Sequence, residues 1–441
     1  MTIAFRMQTA MLLALVIFLV TYVLISVRRF GKLNLERPAV ALFGAALMVL
    51  FGVVAADQAV AAIQLDILGL LLGMMIIVVS LELCGFFTWV SVKMIRASKN
   101  QFQFLILLMF VTALLSALIL NDTVVLLFTP IVIKVCRLIK ANPIPFLVAE
   151  AISANIGSVA TPVGNPQNAF IATQSHITFA EFTTKLFPVT LLCLVIAMVL
   201  VWLVFRNELR DNYGRNDRFW LCEKSKPIDA EKAIQEIAPQ PMHRSVYIVL
   251  GALVLVFIGF VLSPYIKLPL AMVAFIGGAF VLMLLPFFNR SVQPVEVLRK
   301  VDWTLLLFFV GLFVVLKGVE TSGLLAEMMN TFQASSGSGL TSIPGLTGFC
   351  AVLSNLISNV PAVMLLSPFV ASVGSNNLWL ALVTSSTLAG NATILGAAAN
   401  VIVVETGNKM GVEVSLWQFM KAGLPITIIT LLLSVVILSI L

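Results

Sequence analysis

Charge is what this sequence has least of. Only 11% of its 441 residues are Asp, Glu, Lys or Arg and 60% are hydrophobic, whereas a soluble domain carries about 25% charged residues. That shortfall excludes a soluble enzyme domain and leaves a chain solvated by the lipid bilayer. Histidine is almost missing too. His176 and His243 stand in loops without metal-ligand neighbours. The cysteines (Cys84, Cys136, Cys193, Cys222, Cys350) are scattered singly, four of them in or beside apolar runs. This excludes a disulfide framework or a metal cluster and fits small buried hydrophobes. No nucleophile and base pair, phosphate-binding glycine loop or cofactor signature is present, so neither enzyme chemistry nor a cofactor is expected. The net charge of +7 does not point to nucleic acid. Its lysines and arginines lie in short loops between apolar runs, where they act as topology signals.

Long apolar runs are what the chain has in abundance. A bilayer core takes about 20 apolar residues per helix, and hydropathy outlines spans at 11–27, 39–56, 67–87, 145–172, 186–205, 246–264, 269–287, 303–319, 377–404 and 423–441. The first run, preceded by Arg6, is followed by Arg28-Arg29 and lacks a small-residue cleavage site, so it reads as a retained span.

Two of these runs cannot be regular helices. Residues 145–172 contain Gly157, Pro162, Gly164 and Pro166, and each proline removes a backbone donor. The second such run carries the same frame: Thr161-x-x-Gly164-x-x-x-Asn168 recurs as Thr393-x-x-Gly396-x-x-x-Asn400. Broken backbone at membrane depth is tolerated where it is buried in protein or lines a polar cavity, so a ligand site is expected at both breaks.

Two further stretches are too short to cross and return. Residues 102–120 are apolar, Asn121-Asp122-Thr123 interrupts, and eleven residues later comes Lys134. The pair reads as a re-entrant hairpin with Asn121-Asp122-Thr123 at its tip. A second hairpin is expected between Ile343 and Ser372, with Ser358-Asn359-Val360-Pro361 at its tip. In each, a proline stands nine residues after the tip asparagine: Asn121 to Pro130, Asn359 to Pro368.

With the termini outside and each hairpin returning to its own side, all basic residues but Arg6, Lys185, Lys267 and Lys317 fall inside. The odd number of crossings per half then makes the second half an inverted copy of the first. Asp66 and Asp302 open the third span of each half, and Glu82-Leu-Cys-Gly85 is matched by Glu320-Thr-Ser-Gly323. The expectation is an all-α polytopic membrane protein. It is an inverted repeat with about ten transmembrane helices, two re-entrant hairpins and two broken helices. Residues 1–205 form the first repeat and 246–441 the second. They are joined by a cytoplasmic linker, 206–245, which is the only long polar stretch.

In such a repeat the two tips approach the midplane from opposite faces and meet the two breaks. Helix N-termini there hold an anion through unpaired amides, and freed carbonyls with Asn, Ser and Thr oxygens hold a cation. The candidate substrate shell is Asn121, Thr123, Thr161, Pro162, Gly164, Asn165, Asn168, Ser358, Asn359, Gly390, Asn391 and Thr393. Small residues also permit close helix packing, which leaves asparagine at both tips unaccounted for. Asp122 is the only acid at a tip, and with Asn121, Ser158, Asn359 and Asn400 it forms the candidate Na+ or proton site. Capping of a half-helix is its alternative role. Glu82, Glu150, Glu320 and Glu405 are read as lying toward span ends, within reach of interfacial water.

At these residues the chain resembles the ion transporter superfamily, which includes divalent anion:sodium symporters, arsenite/antimonite efflux permeases and Na+/H+ antiporters of the same fold. The likeness rests on Asn121-Asp-Thr with Thr129-Pro130, Thr161-Pro-Val-Gly-Asn-Pro-Gln-Asn168, Val301-Asp-Trp-Thr-Leu305, Ile357-Ser-Asn-Val-Pro361 and Gly390-Asn391. The Ser-Asn-Thr signature of the dicarboxylate symporters maps onto Leu120-Asn121-Asp122 and Ser358-Asn359-Val360, with only the asparagines present in both. The Asn-Asp tip is closer to the arsenite-permease branch. The resemblance implies a homodimer in the inner (plasma) membrane, with a rigid scaffold and a moving transport part. Its substrate would be a small anion or oxyacid, coupled to Na+ or H+ by symport or antiport. A channel or membrane scaffold is the competing class, and neither requires a symmetric midplane site.

Overall fold

The computed structural model describes residues 2–26, 29–30, 33–34, 36–98, 100–138, 141–210, 244–324, 327 and 339–440. These are all-helical apart from a two-residue antiparallel ladder, Arg29–Phe30 against Leu33–Asn34. Residues 211–243 of the linker, with Cys222 and His243, lie outside the described residues.

Among the described residues seven helices are long and apolar enough to cross a membrane: Leu65–Leu83, Gln101–Leu118, Phe179–Leu209, Val246–Ile266, Leu270–Phe288, Trp303–Thr321 and Leu416–Ile440. Six of them, with Thr2–Ser26, Arg37–Leu50 and the two broken crossings, make up the ten expected spans; the seventh, Gln101–Leu118, is an arm of the expected first hairpin. Lipid-facing stripes follow helical spacing. On Val246–Ile266, for example, Val254, Leu255, Ile258 and Val261 are all exposed while Val249, Val256 and Phe260 are buried.

The first break separates Pro143–Ser158 from Pro166–Ser175, and the second separates Asn376–Ala389 from Ala398–Lys409, with a single 3₁₀ turn at Ile394–Gly396. Both expected hairpins form: Gln101–Leu118 with Asn121–Leu138, and Ile343–Ile357 with Asn359–Val373. Two details differ from the sequence expectation. The bend of the first hairpin is Ile119-Leu120, and Asn121 already opens the returning arm. That arm is also not short. It continues through Lys134 and Arg137, both exposed, because an apolar count ends at the first charge whereas a helix ends only where its backbone does.

The packing repeats in mirrored pairs, which is the mark of a pseudo-twofold axis. Leu65–Leu83 packs on Leu270–Phe288, and its counterpart Trp303–Thr321 packs on Arg37–Leu50. Thr2–Ser26 touches Arg37–Leu50 and Trp303–Thr321, just as Val246–Ile266 touches Leu270–Phe288 and Leu65–Leu83. Gly73 and Gly311, related by the same 238-residue offset as the tip asparagines, sit at the two equivalent crossings. A Cβ on Gly73 would overlap the Ala274 carbonyl, and one on Gly311 would lie 2.5 Å from the Ala41 carbonyl carbon, so each crossing needs glycine. These six helices form one layer. The hairpins and broken helices pack chiefly on each other, with Phe179–Arg210 and Leu416–Ile440, to form the other.

Side-chain contacts between distant segments respect the sidedness read from charge. Lys300 pairs with Glu82 at 2.7 Å, Cys84 lies 3.3 Å from Ser245, Asn142 donates to Glu208 and Arg137 donates to the Met410 carbonyl, all on one face. On the opposite face Gln174 donates to Gln64 at 2.7 Å and Thr321 to the Val53 carbonyl.

Candidate functional site

Four helices begin at one place. A cavity of about 210 Å³ is lined by Asn121 and Asp122, Pro166 and Gln167, Asn359 and Val360, and Ala397 and Ala398. These are the first turns of Asn121–Leu138, Pro166–Ser175, Asn359–Val373 and Ala398–Lys409. Each first turn carries about half a positive charge, and Asp122 belongs to the same lining; in Asn121–Leu138 the first three amides already donate, to the Gly164 carbonyl, Asn121 Oδ1 and the Leu120 carbonyl. Arg37, Asp302 and Thr304 stand at the mouth of the cavity, the last two exposed.

Beneath this pocket the two halves are stitched together by amides. Asn155 donates to Asn391 Oδ1 at 2.9 Å and to Asn400 Oδ1 at 2.8 Å, and accepts from Asn121 Nδ2 at 3.2 Å. Asn155, Asn391 and Asn400 are fully buried. The opposite tip is held in a corresponding way. The Asn359 amide, with its nitrogen turned inward, donates to Ser354 Oγ, the Ser386 carbonyl and the Gly396 carbonyl at 2.6, 3.1 and 2.8 Å. At the first tip it is the Asn121 backbone that donates to the Gly164 carbonyl, at 2.9 Å. Ser358 adopts φ +77° and ψ 160°, a region that is essentially glycine's and stores about 1–3 kcal/mol of strain in other residues.

The residues expected from sequence thus divide into two groups. Asn121, Asp122, Ser358 and Asn359 line the cavity. Asn165, Asn168 and Asn400 instead hold the breaks: Asn165 caps Pro166–Ser175, Asn168 Nδ2 donates to the Ser158 and Thr161 carbonyls, and Asn400 Nδ2 donates to those of Gly390 and Thr393. Ser158 accepts from Asn165, Thr161 donates to the Ala117 carbonyl and Thr393 to Asn355. Pro162, Gly164 and Gly390 are buried in the turns, Asn391 sits under the pocket and Thr123 is half-buried on the returning arm. Sequence reading missed Asn155, Gln167, Ala397 and Ala398. The 232-residue offset between the breaks pairs Asn155 with Thr387, so a search for matched residues passes over it.

Glu150 requires a correction. The sequence expectation places it within reach of interfacial water, whereas it is 0% exposed. The helix Pro143–Ser158 is covered on every side by 101–118, 121–138, 179–210 and 398–409, and distance from a span end says nothing about neighbours around the axis.

A second cavity, of about 530 Å³, lies on the other side of the same wall and is lined by Gln58, Gln64, Gln174, Lys317 and Glu320 among others. Phe170 and Phe313, stacked at 6.4 Å between centroids, border it, while Leu305 and Phe308 of the same scaffold helix border the site cavity. The site cavity thus adjoins Arg37 and Asp302, and the second cavity adjoins Lys317 and Glu320.

Comparison with known proteins adds to this geometry. Residues 22–383 match the citrate transporter family, CitMHS. The chain is 33% identical over 446 residues to a Mycobacterium tuberculosis transporter, covering 96% of this chain and 97% of that one. It is 31% identical to a silicon efflux transporter of Oryza sativa subsp. japonica, covering 90% and 91%. The Alcanivorax borkumensis YdaH transporter, described as having an unusual topology, has a similar fold. Its TM-score is 0.57 at 16% identity, and 98% of each chain is covered.

Proposed function

The chain belongs to the citrate transporter family, and from that premise we propose that it is a secondary active transporter of a small anion or oxyacid, coupled to Na+ or H+ and working by alternating access. The observation that carries this reading is the convergence of four helix N-termini on one cavity. Oxygen-rich solutes accept hydrogen bonds from amides at helix N-termini and are favoured by the positive ends of helix dipoles, while neutral asparagine side chains donate and accept without demanding full charge. Residues 1–205 and 246–441 act as the two inverted repeats about the 206–245 linker. The face to which the site cavity opens carries Arg37, Lys300 and Lys409. By the positive-inside rule it is cytoplasmic, with both termini outside, in the inner (plasma) membrane. Alternating access moves the hairpin and broken-helix layer against the six-helix layer, and the chain works as a homodimer with the scaffold as its fixed part. Asp122, half-buried at the cavity wall, is the carboxylate nearest the substrate.

Counterflow in proteoliposomes tests the reading with citrate, silicic acid and arsenite as probes. A carrier accumulates labelled probe against unlabelled probe trapped inside. A channel equilibrates it without overshoot, and that result for every probe would refute the assignment.

A further inference from the structure

Deepening that reading, we propose that the coupling ion is a proton and that it is carried by Glu150, in the hydrogen-bonded pair it forms with Thr129. Thr129 Oγ1 donates to Glu150 Oε1 at 3.0 Å, both residues are 0% exposed, and Oε2 has no partner. Among the described residues Lys185, Lys300 and Lys317 pair with Glu181, Glu82 and Glu320, and Glu150 has no ion pair with a described lysine or arginine. An unpaired carboxylate removed from water costs several kcal/mol, whereas a proton on Oε2 leaves a neutral acid whose other oxygen accepts the Thr129 hydroxyl. The site stands apart from the substrate cavity, whose lining includes neither residue.

Internal symmetry separates this reading from a packing role. At the 232-residue offset that matches the two breaks, Glu150 corresponds to Leu382, also fully buried. At the hairpin offset, Thr129-Pro130 corresponds to Ser367-Pro368, and Ser367 donates back to the Met364 carbonyl of its own helix. The second repeat fills this position with leucine, so packing alone requires no carboxylate. The first repeat carries one despite its desolvation cost.

The groups around it are few. Helix 121–138 contributes Thr129 and, two turns on along the same face, buried Cys136, while its Lys134 and Arg137 are exposed and Asp122 lies at the tip. Helices 101–118 and 376–389 contain no titratable residue. Helix 179–210 brings Glu208, bonded to Asn142 at the helix start, buried Cys193 against the Thr430 carbonyl, exposed Arg206, and Glu181 paired with Lys185 near its start. Glu405, Lys409 and Lys421 on 398–409 and 416–440 are exposed. Glu150 and Thr129 join the two helices that carry Asn155 and Asn121, whose mutual hydrogen bond underlies the pocket. Loss of the proton from Glu150 would place a charge between those helices, and it is through their spacing that proton occupancy and substrate occupancy are linked.

The test uses the full chain in proteoliposomes containing a pH-reporting dye, with citrate, silicic acid and arsenite as probes, and the variants E150Q, E150L and D122N. The expected result is that E150Q, a permanent mimic of the protonated acid, keeps counterflow of the transported probe. It should lose at least tenfold in pH-gradient-driven accumulation, together with the dye response. E150L, the second repeat's own residue, checks that the position tolerates a neutral side chain. Infrared spectroscopy of the purified protein reads the proton without any substrate: a protonated-carboxyl stretch should be present in the wild type and absent from E150Q and E150L. Full proton-driven accumulation by E150Q, accumulation that follows Na+ with no dye response, loss confined to D122N, or an infrared band unchanged in E150L would each overturn the proposal. Failure of the wild type to exchange any probe refutes the substrate class instead, and the infrared band still decides where the proton resides.

Discussion

Replacing Asn155 by alanine and by aspartate should separate two costs that the amide cluster holds together. Alanine removes three hydrogen bonds, of 2.8, 2.9 and 3.2 Å. Interhelical hydrogen bonds in membrane proteins average about 0.6 kcal/mol with a ceiling near 1.7, so the loss is about 2 kcal/mol and no more than about 5. Aspartate keeps the bond from Asn121 but turns two donations into contacts between a carboxylate oxygen and the carbonyl oxygens of Asn391 and Asn400. At a position with no exposure that adds several kcal/mol of uncompensated charge. The smaller chemical change should therefore do the greater harm. Thermal unfolding in detergent, followed by tryptophan fluorescence, should rank wild type above N155A and N155A above N155D at neutral pH. Lowering the pH should narrow the N155D deficit, because protonation restores one donor. An N155D protein as stable as wild type at neutral pH, or one less stable than N155A by the same margin at every pH, would refute this account of the cluster.

Three further outcomes are expected. Gly157→Ala would drive a Cβ into the Ala113 carbonyl of the first hairpin arm, an overpacking of about 1–3 kcal/mol; a lowered Tm with reduced counterflow checks it, and an unchanged Tm would show that the arms separate freely. Ser358→Gly relieves the positive φ at the second tip. After the entropic cost of glycine the net gain is about 0.5–2 kcal/mol, read as a raised Tm, and a fall in Tm would mean that the serine side chain contributes more than its backbone strain costs. Gln64 and Gln174 join the scaffold to the first broken helix on the face bearing Lys317. In a double Gln64→Cys, Gln174→Cys variant, a short thiol crosslinker should stop transport, and with a cleavable linker reductant should restore it; full transport in the crosslinked state would rule out movement at that seam.

The sequence by itself determined the solvent, the segment count and the symmetry. Hydropathy reports which stretches lipid can surround, proline and glycine report where a helix must break, and basic loops report sidedness. Each is a property of local composition, so Asn121, Asn359 and both breaks were legible without coordinates. Which side chain faces which was not legible, because that depends on rotation about helix axes and on partners hundreds of residues away. Asn168 and Asn400, candidates from their matched spacing, each donate to two carbonyls of their own break, a use that the spacing alone does not reveal. Asn155 joins the repeats through residues more than 230 positions downstream, and its own repeat partner is a threonine. Glu150 looked interfacial from its place along the chain and is sealed by four helices around it. The side to which the site opens was decided only by tertiary packing. Two repeats of one sequence pattern can face either side equally well, and here Arg37, Asp302 and Thr304 stand beside the four helix starts while Phe170 packs on Phe313 at the second cavity.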